Sequence, residues 1–95
     1  MSTKIYQLEQ NESYALIEWL GEELVQENYE ELELAVRLLF KKEYTNMILN
    51  ISKVQNIDGF GVSAVRKATK ICTNELGLFV VVSKVDEVVD RLDQA

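Results

Sequence analysis

The sequence predicts an α/β fold with the order β-β-α-β-α-β-α, an open mixed sheet whose central strands run parallel. Three observations carry that prediction. Met47, Ile48, Leu49 and Ile51 make an apolar run of strand length, suited to a strand covered on both faces. Leu78-Phe79-Val80-Val81-Val82 is a second such run, aromatic and β-branched, and reads as another central parallel strand. Between them Gly61, Ala64, Val65, Ala68, Ile71 and Cys72 recur at helical spacing, and a strand–helix–strand unit of this kind crosses over right-handed.

The remaining elements follow in order. Lys4 to Glu9 alternates apolar and polar residues, as a half-exposed strand does. Asn11-Glu12-Ser13 has turn character, and Tyr14 to Leu20 is a second strand, so the two form a hairpin ended by Gly21. A polar segment follows to Glu27. Asn28 then stands three residues before Glu31, the spacing of a capping box. Leu32, Ala35, Val36, Leu39 and Phe40 form the stripe of a helix lying on a sheet, with Glu27, Glu30 and Glu31 at its start and Lys41 and Lys42 at its end, as the helix dipole favours. Leu34 and Leu38 fall off the stripe; they either widen the buried face or mark a contact with another molecule. After the second helix, Asn74-Glu75-Leu76-Gly77 reads as a stop in which Gly77 takes a left-handed cap. Ser83 is placed to cap a last helix whose apolar face is Val85, Val88, Val89 and Leu92.

Composition narrows the function. The chain has 95 residues, 47% of them apolar, enough for one core over residues 1–95. Sixteen acidic and ten basic residues give a net charge of −6, which argues against the concentrated basic surface that nucleic acid requires. Histidine is absent and Cys72 is the only cysteine, which removes intrachain disulfides, most zinc chemistry and histidine-based triads. Without a signal peptide or a long apolar span, a soluble cytoplasmic protein that neither inserts in a membrane nor carries a cofactor or metal is expected.

The stretch from Asn46 to Thr73 concentrates the chemistry. A buried strand delivers Ile57-Asp58-Gly59-Phe60-Gly61 to the mouth of a helix at the carboxyl edge of the sheet, where open α/β sheets usually bind. Asp58 is suited to cap the unpaired N–H groups there, and Gly59 and Gly61 permit close approach or positive φ. The same pattern equally describes a capped turn with no other duty. An aspartate after a central strand also marks a phosphoacceptor. Glu22 with Glu23, and Lys84 after the last strand, are the nearest metal-binding pair and lysine, but a hairpin precedes them where a strand–helix–strand unit is needed. Catalysis is not expected.

Asn46 to Leu92 resembles the core of a STAS domain, the family named from sulfate transporters and anti-sigma factor antagonists. The matching stretch runs from Leu49-Asn50-Ile51-Ser52 through Ile57-Asp58-Gly59-Phe60-Gly61-Val62, followed by a small-residue turn, a buried strand and a Ser-led helix; Leu20-Gly21-Glu22 resembles the family's early strand and glycine. The resemblance implies a protein-binding module that docks onto a kinase-like anti-sigma factor or another signalling protein, with a homodimer as a further possibility. It also implies an Asp-Ser-Ser-Gly loop whose second serine is phosphorylated. Here Gly59 and Phe60 occupy the two serine positions, so the usual acceptor hydroxyl is missing and the charge that phosphate adds at a helix start is lost. Ser63, one turn on, is the nearest substitute. The family's last strand and helix have no counterpart before Ala95.

On this reading the partner-binding residues are Asp58, Gly59, Phe60, Gly61, Ser63, Arg66, Lys67 and Lys70. The last three form a basic face suited to an acidic partner, or a solvated face with no partner. Phe60 is either an exposed anchor or a ring folded back over the sheet edge. The runner-up function is a structural STAS subunit in a signalling or membrane-transport assembly.

Overall fold

The computed structural model describes residues 5–94, so the proposed first residue of the first strand, Lys4, lies outside the described residues. Turn chemistry closes the first hairpin. Asn11 Oδ1 accepts the N–H groups of Ser13 and Tyr14, each at 2.8 Å, and joins β1 (Tyr6–Gln10) to β2 (Ala15–Trp19). Two short or polar segments flank the first helix: β3 (Glu23–Leu24) before α1 (Tyr29–Lys41), and β5 (Asn56–Ile57) after β4 (Met47–Asn50). Then come α2 (Gly59–Asn74), β6 (Phe79–Val82) and α3 (Asp86–Asp93). The main sheet has the order β1-β2-β4-β6; β1 is antiparallel to β2, and the other neighbours are parallel. This is the predicted mixed α/β sheet.

Side-chain alternation assigns the two faces. Ala15, Ile17 and Trp19 of β2 and Met47 and Leu49 of β4 are buried, and Leu8, Phe79 and Val81 pack on the same core. The stripes Leu32-Ala35-Val36-Leu39 of α1 and Gly61-Ala64-Val65-Ala68-Cys72 of α2 lie against it, with Val88 of α3. Each of these stripes is the one that helical spacing predicts. The burial of Cys72 pushes its thiol pKa up, so it stays protonated and inert. The opposite face carries Gln7, Glu9, Leu16, Glu18, Ile48, Asn50, Val80 and Val82, and none of these is buried.

Several local expectations change. β6 is an edge strand among the described residues, not a central one, and Val80 and Val82 are exposed; an unbroken apolar run does not by itself tell an edge from a centre. Leu34 and Leu38 do not widen the buried face of α1 but project from it. The capping box is absent. Asn28 instead accepts from Val25 N at 2.8 Å and donates to Glu23 O at 2.9 Å, tying β3 to α1. Gly77 has no positive φ; Leu76 takes the left-handed turn at φ 62°. Gly77 is required for a different reason, because a Cβ there would strike the carbonyl of Thr45. Ser83 does not cap α3, whose N-cap is Val85; its Oγ accepts from Val85 N at 3.3 Å, on the residue just before the helix begins.

Candidate functional site

The parallel strands β2, β4 and β6 end at one edge of the sheet, and the short β3–β5 pair extends that edge. Ile57 is buried in this extension, so the next residue, Asp58, is held at its rim. α2 begins there, at Gly59, two residues earlier than the apolar spacing predicts. Gly59, Phe60 and Gly61 are therefore its first turn instead of a loop.

Asp58 is the N-cap, as predicted. Its Oδ1 accepts from Gly61 N at 3.0 Å and its Oδ2 from Gln26 N at 2.9 Å, so one carboxylate ties the start of α2 to the turn before α1. Partial desolvation is the largest single influence on its pKa and raises it. The backbone N–H groups of Gly61, Gln26, Phe60 and Asp58 itself together outweigh it and hold the carboxyl below its usual 3.8. A folded-state pKa that is depressed means stability present above the unfolded value and lost as pH falls through the folded one. Asp58→Ala is expected to cost about 0.5–2 kcal/mol at neutral pH. That difference should shrink only below pH 3.8, a window that paired thermal melts of the two proteins would reveal. One oxygen caps α2 and the other accepts from the turn before α1, so the Asp58 carboxylate holds the two segments together.

Of the two expected uses of the glycines, close approach or positive φ, neither residue shows positive φ and Gly61 shows close approach. Gly59 has open space where a Cβ would stand. Gly61 does not: a Cβ would strike the Leu24 carbonyl and lie 2.8 Å from Ile57 Cγ1. Its lack of a side chain lets α2 press against the β3–β5 pair.

Phe60 is exposed but not free of the fold, and it leans on a helix instead of the sheet edge. Its ring packs on Tyr29 at the start of α1, with centroids 5.2 Å apart and planes tilted by 40°, and it remains 44% exposed. Phe60, Ser63, Lys67 and Lys70 recur along one side of α2, with Arg66 beside them, and all five are exposed. Lys67 is not unpaired, since its Nζ meets Glu33 Oε2 at 3.2 Å, bridging α2 to α1. Such an exposed ion pair contributes little to stability. The eight predicted residues thus lie along α2 from its N-cap Asp58 to Lys70, with Gly61 buried and the rest at or near the surface. Tyr29, Gln26 and Glu33 join them across the fold. Sequence reading missed these three, because only the β3–β5 pairing brings α1's start beside α2.

This arrangement is a capped helix start on the carboxyl edge of a mixed α/β sheet, with an exposed stripe running from it. The STAS domain model matches residues 6–95, and the chain belongs to the STAS domain family. Among solved structures it is similar to the Bacillus anti-sigma factor antagonist SpoIIAA in its unphosphorylated form: 18% identity, 95% of this chain against 99% of that one, TM-score 0.68. It is also similar to a putative anti-sigma factor antagonist from Thermotoga maritima, with 22% identity, 94% of this chain, 80% of that one and TM-score 0.67. A murine Solute Carrier 26 family member A9 anion transporter matches at 15% identity and TM-score 0.67, over 92% of this chain but 14% of that one. No curated protein matches the chain at the sequence level. Among the described residues no helix is long and apolar enough to cross a membrane, and no group of three or more Asp, Glu or Cys is placed to hold a metal.

Proposed function

We propose that this chain is a non-enzymatic, cytoplasmic binding module of the anti-sigma factor antagonist kind, a single domain over residues 1–95 that regulates transcription by partner-switching. Its partner is a kinase-like anti-sigma factor or a related signalling protein. One observation carries the reading. Where the resemblance calls for a phosphorylated serine, Phe60 presents a half-exposed ring, steadied by Tyr29 and set at a helix start fixed by Asp58. A preorganised aromatic loses little conformational entropy on binding and makes a good anchor. Ser63, Arg66 and Lys70 follow it along α2, and the basic pair suits an acidic partner surface. SpoIIAA is known in phosphorylated and unphosphorylated forms; this chain takes the same face of the fold and replaces a switchable charge with a fixed apolar contact.

The test is affinity for an ATP-binding anti-sigma factor. Phe60→Ala is expected to fold normally and to weaken binding by at least about tenfold, the loss of a hot-spot side chain. Unchanged affinity would remove Phe60 from the interface. Leu34 and Leu38, at 54% and 44% exposure on α1, favour a second reading, a structural subunit of a larger assembly. A transporter component or a stable hetero-oligomer recovered from native extract, in place of a one-to-one complex with an anti-sigma factor, would select that reading.

A further inference from the structure

The two edges of the main sheet differ in chemistry. On the open face β1 shows Gln7 and Glu9, whereas β6 shows Val80 and Val82, 47% and 42% exposed, extended by Leu78 at 65%. A charged edge strand resists pairing with another chain, and an uncharged apolar one invites it. From Gly77 to Ser83 there is neither a charge nor a proline, and among the described residues no strand pairs with the outer side of β6. The existing ladder fixes which backbone groups face outward. The carbonyls of Leu78 and Val82 accept from Met47 N at 2.9 Å and Ile51 N at 2.8 Å. In a parallel ladder each residue directs both its amide groups to one side and its neighbour directs them to the other. Phe79 and Val81 therefore hold their N–H and C=O groups toward the free edge.

We propose that β6 pairs antiparallel with β6 of a second copy, about a two-fold axis through Val80, joining the two main sheets edge to edge. In that register Phe79 of each copy lies opposite Val81 of the other, and these are the residues with outward-facing backbone groups. Leu78 lies opposite Val82, and Val80 opposite Val80. Apolar meets apolar at every position, on both faces. The cross-strand row Leu16, Ile48, Val80 of one copy continues directly into the same row of the other, so the exposed valine becomes the middle of a continuous apolar strip. Charge agrees with this pairing. Glu75 and Lys84 lie beyond opposite ends of β6, and this register sets Lys84 of one copy opposite Leu76 of the other, one residue from Glu75. A two-fold axis makes a surface complementary to itself, which this edge is. The interface uses none of the residues proposed to meet the signalling partner, so it stands or falls separately from that function.

Val80→Cys tests the register. Residues facing each other in a non-hydrogen-bonded antiparallel pair have Cα atoms about 4.5 Å apart, within disulfide reach. Mild oxidation of Val80→Cys is expected to give a disulfide-linked dimer, whereas Gln7→Cys on the opposite edge stays monomeric under the same conditions. Sedimentation should show the unaltered chain in concentration-dependent monomer–dimer equilibrium. Val80→Lys, with an unchanged melting temperature, should raise the dissociation constant by about tenfold or more, by setting two like charges face to face. Glu75→Lys should weaken the dimer too, and Glu75→Lys with Lys84→Glu should restore it. A chain monomeric at all concentrations, or Val80→Cys cross-linking no faster than Gln7→Cys, would overturn the proposal.

Discussion

Replacing Gly61 with alanine is expected to destabilise the protein by about 3 kcal/mol, measured by thermal or denaturant unfolding. The sign is the informative part. Glycine to alanine inside a helix ordinarily stabilises by about 1 kcal/mol, because alanine restricts the unfolded chain and favours helical dihedrals. At Gly61 the new methyl would have to occupy the space of the Leu24 carbonyl, with Ile57 Cγ1 at 2.8 Å behind it. That carbonyl also accepts the Asp58 N–H at 3.4 Å, so α2 cannot back away without loosening the cap. Gly59→Ala supplies the comparison. It adds the same methyl two residues earlier, where nothing lies within 4 Å, and should leave stability unchanged or slightly improved. Equal effects at the two positions would mean that α2 is not pressed against the β3–β5 pair.

Trp19→Ala is expected to be costlier still, about 3–5 kcal/mol. A domain of this size has a total stability of roughly 5–15 kcal/mol, so the variant would sit near the edge of folding. Trp19 is fully buried in the core beneath the helices, and its ring stacks on Tyr6 at 6.3 Å. Its indole Nε1 also donates to Glu23 O at 3.0 Å, the same carbonyl that receives the Asn28 side chain. One indole thus joins the main sheet to β3, and through β3 to the turn that holds Asp58. Trp19→Phe keeps most of the apolar contact and loses the hydrogen bond, leaving the Glu23 carbonyl with Asn28 alone. It should cost less, about 1–2 kcal/mol. An equal loss for phenylalanine and alanine would show that the hydrogen bond, not the packing, dominates.

The parts of this fold that were legible in the sequence share a trait: they repeat. Helical stripes such as Leu32-Ala35-Val36-Leu39 and the apolar run around Leu49 extend over enough residues for periodicity to speak, although that strand buries one face, Met47 and Leu49, and not the two expected. Asp58 was legible as a cap because capping is local chemistry, three residues wide. What was missed depends on distant partners. β3 and β5 are two residues each, and nothing in Glu23-Leu24 or Asn56-Ile57 announces a strand until the other is beside it. Close approach was one of the two uses expected of Gly61, but which backbone it would meet, the Leu24 carbonyl, was not legible; at Gly77 the expected left-handed cap gives way to close approach to the Thr45 carbonyl. The left-handed turn fell to Leu76, a residue that pattern reading does not assign to it. Asn28 likewise looked like a capping-box residue, and its side chain was drawn back to Glu23 and Val25 instead.

The same distinction applies to the site. The exposed stripe Phe60, Ser63, Lys67, Lys70 follows from helical spacing, but the support of Phe60 by Tyr29 and the tether of Lys67 to Glu33 arise only when α1 and α2 meet. Those contacts decide the chemistry of the face. They tether Lys67 to Glu33, leave Arg66 and Lys70 exposed beside it, and make Phe60 a braced surface ring.

The central claim is that this face works through permanent side-chain contact and needs no phosphoryl group. Titration calorimetry of the chain against an ATP-binding anti-sigma factor, before and after incubation of the two with ATP, tests it most directly. The account predicts the same affinity in both titrations and an intact mass of the chain that does not change. Transfer of phosphate to Ser63, accompanied by loss of the complex, would contradict it.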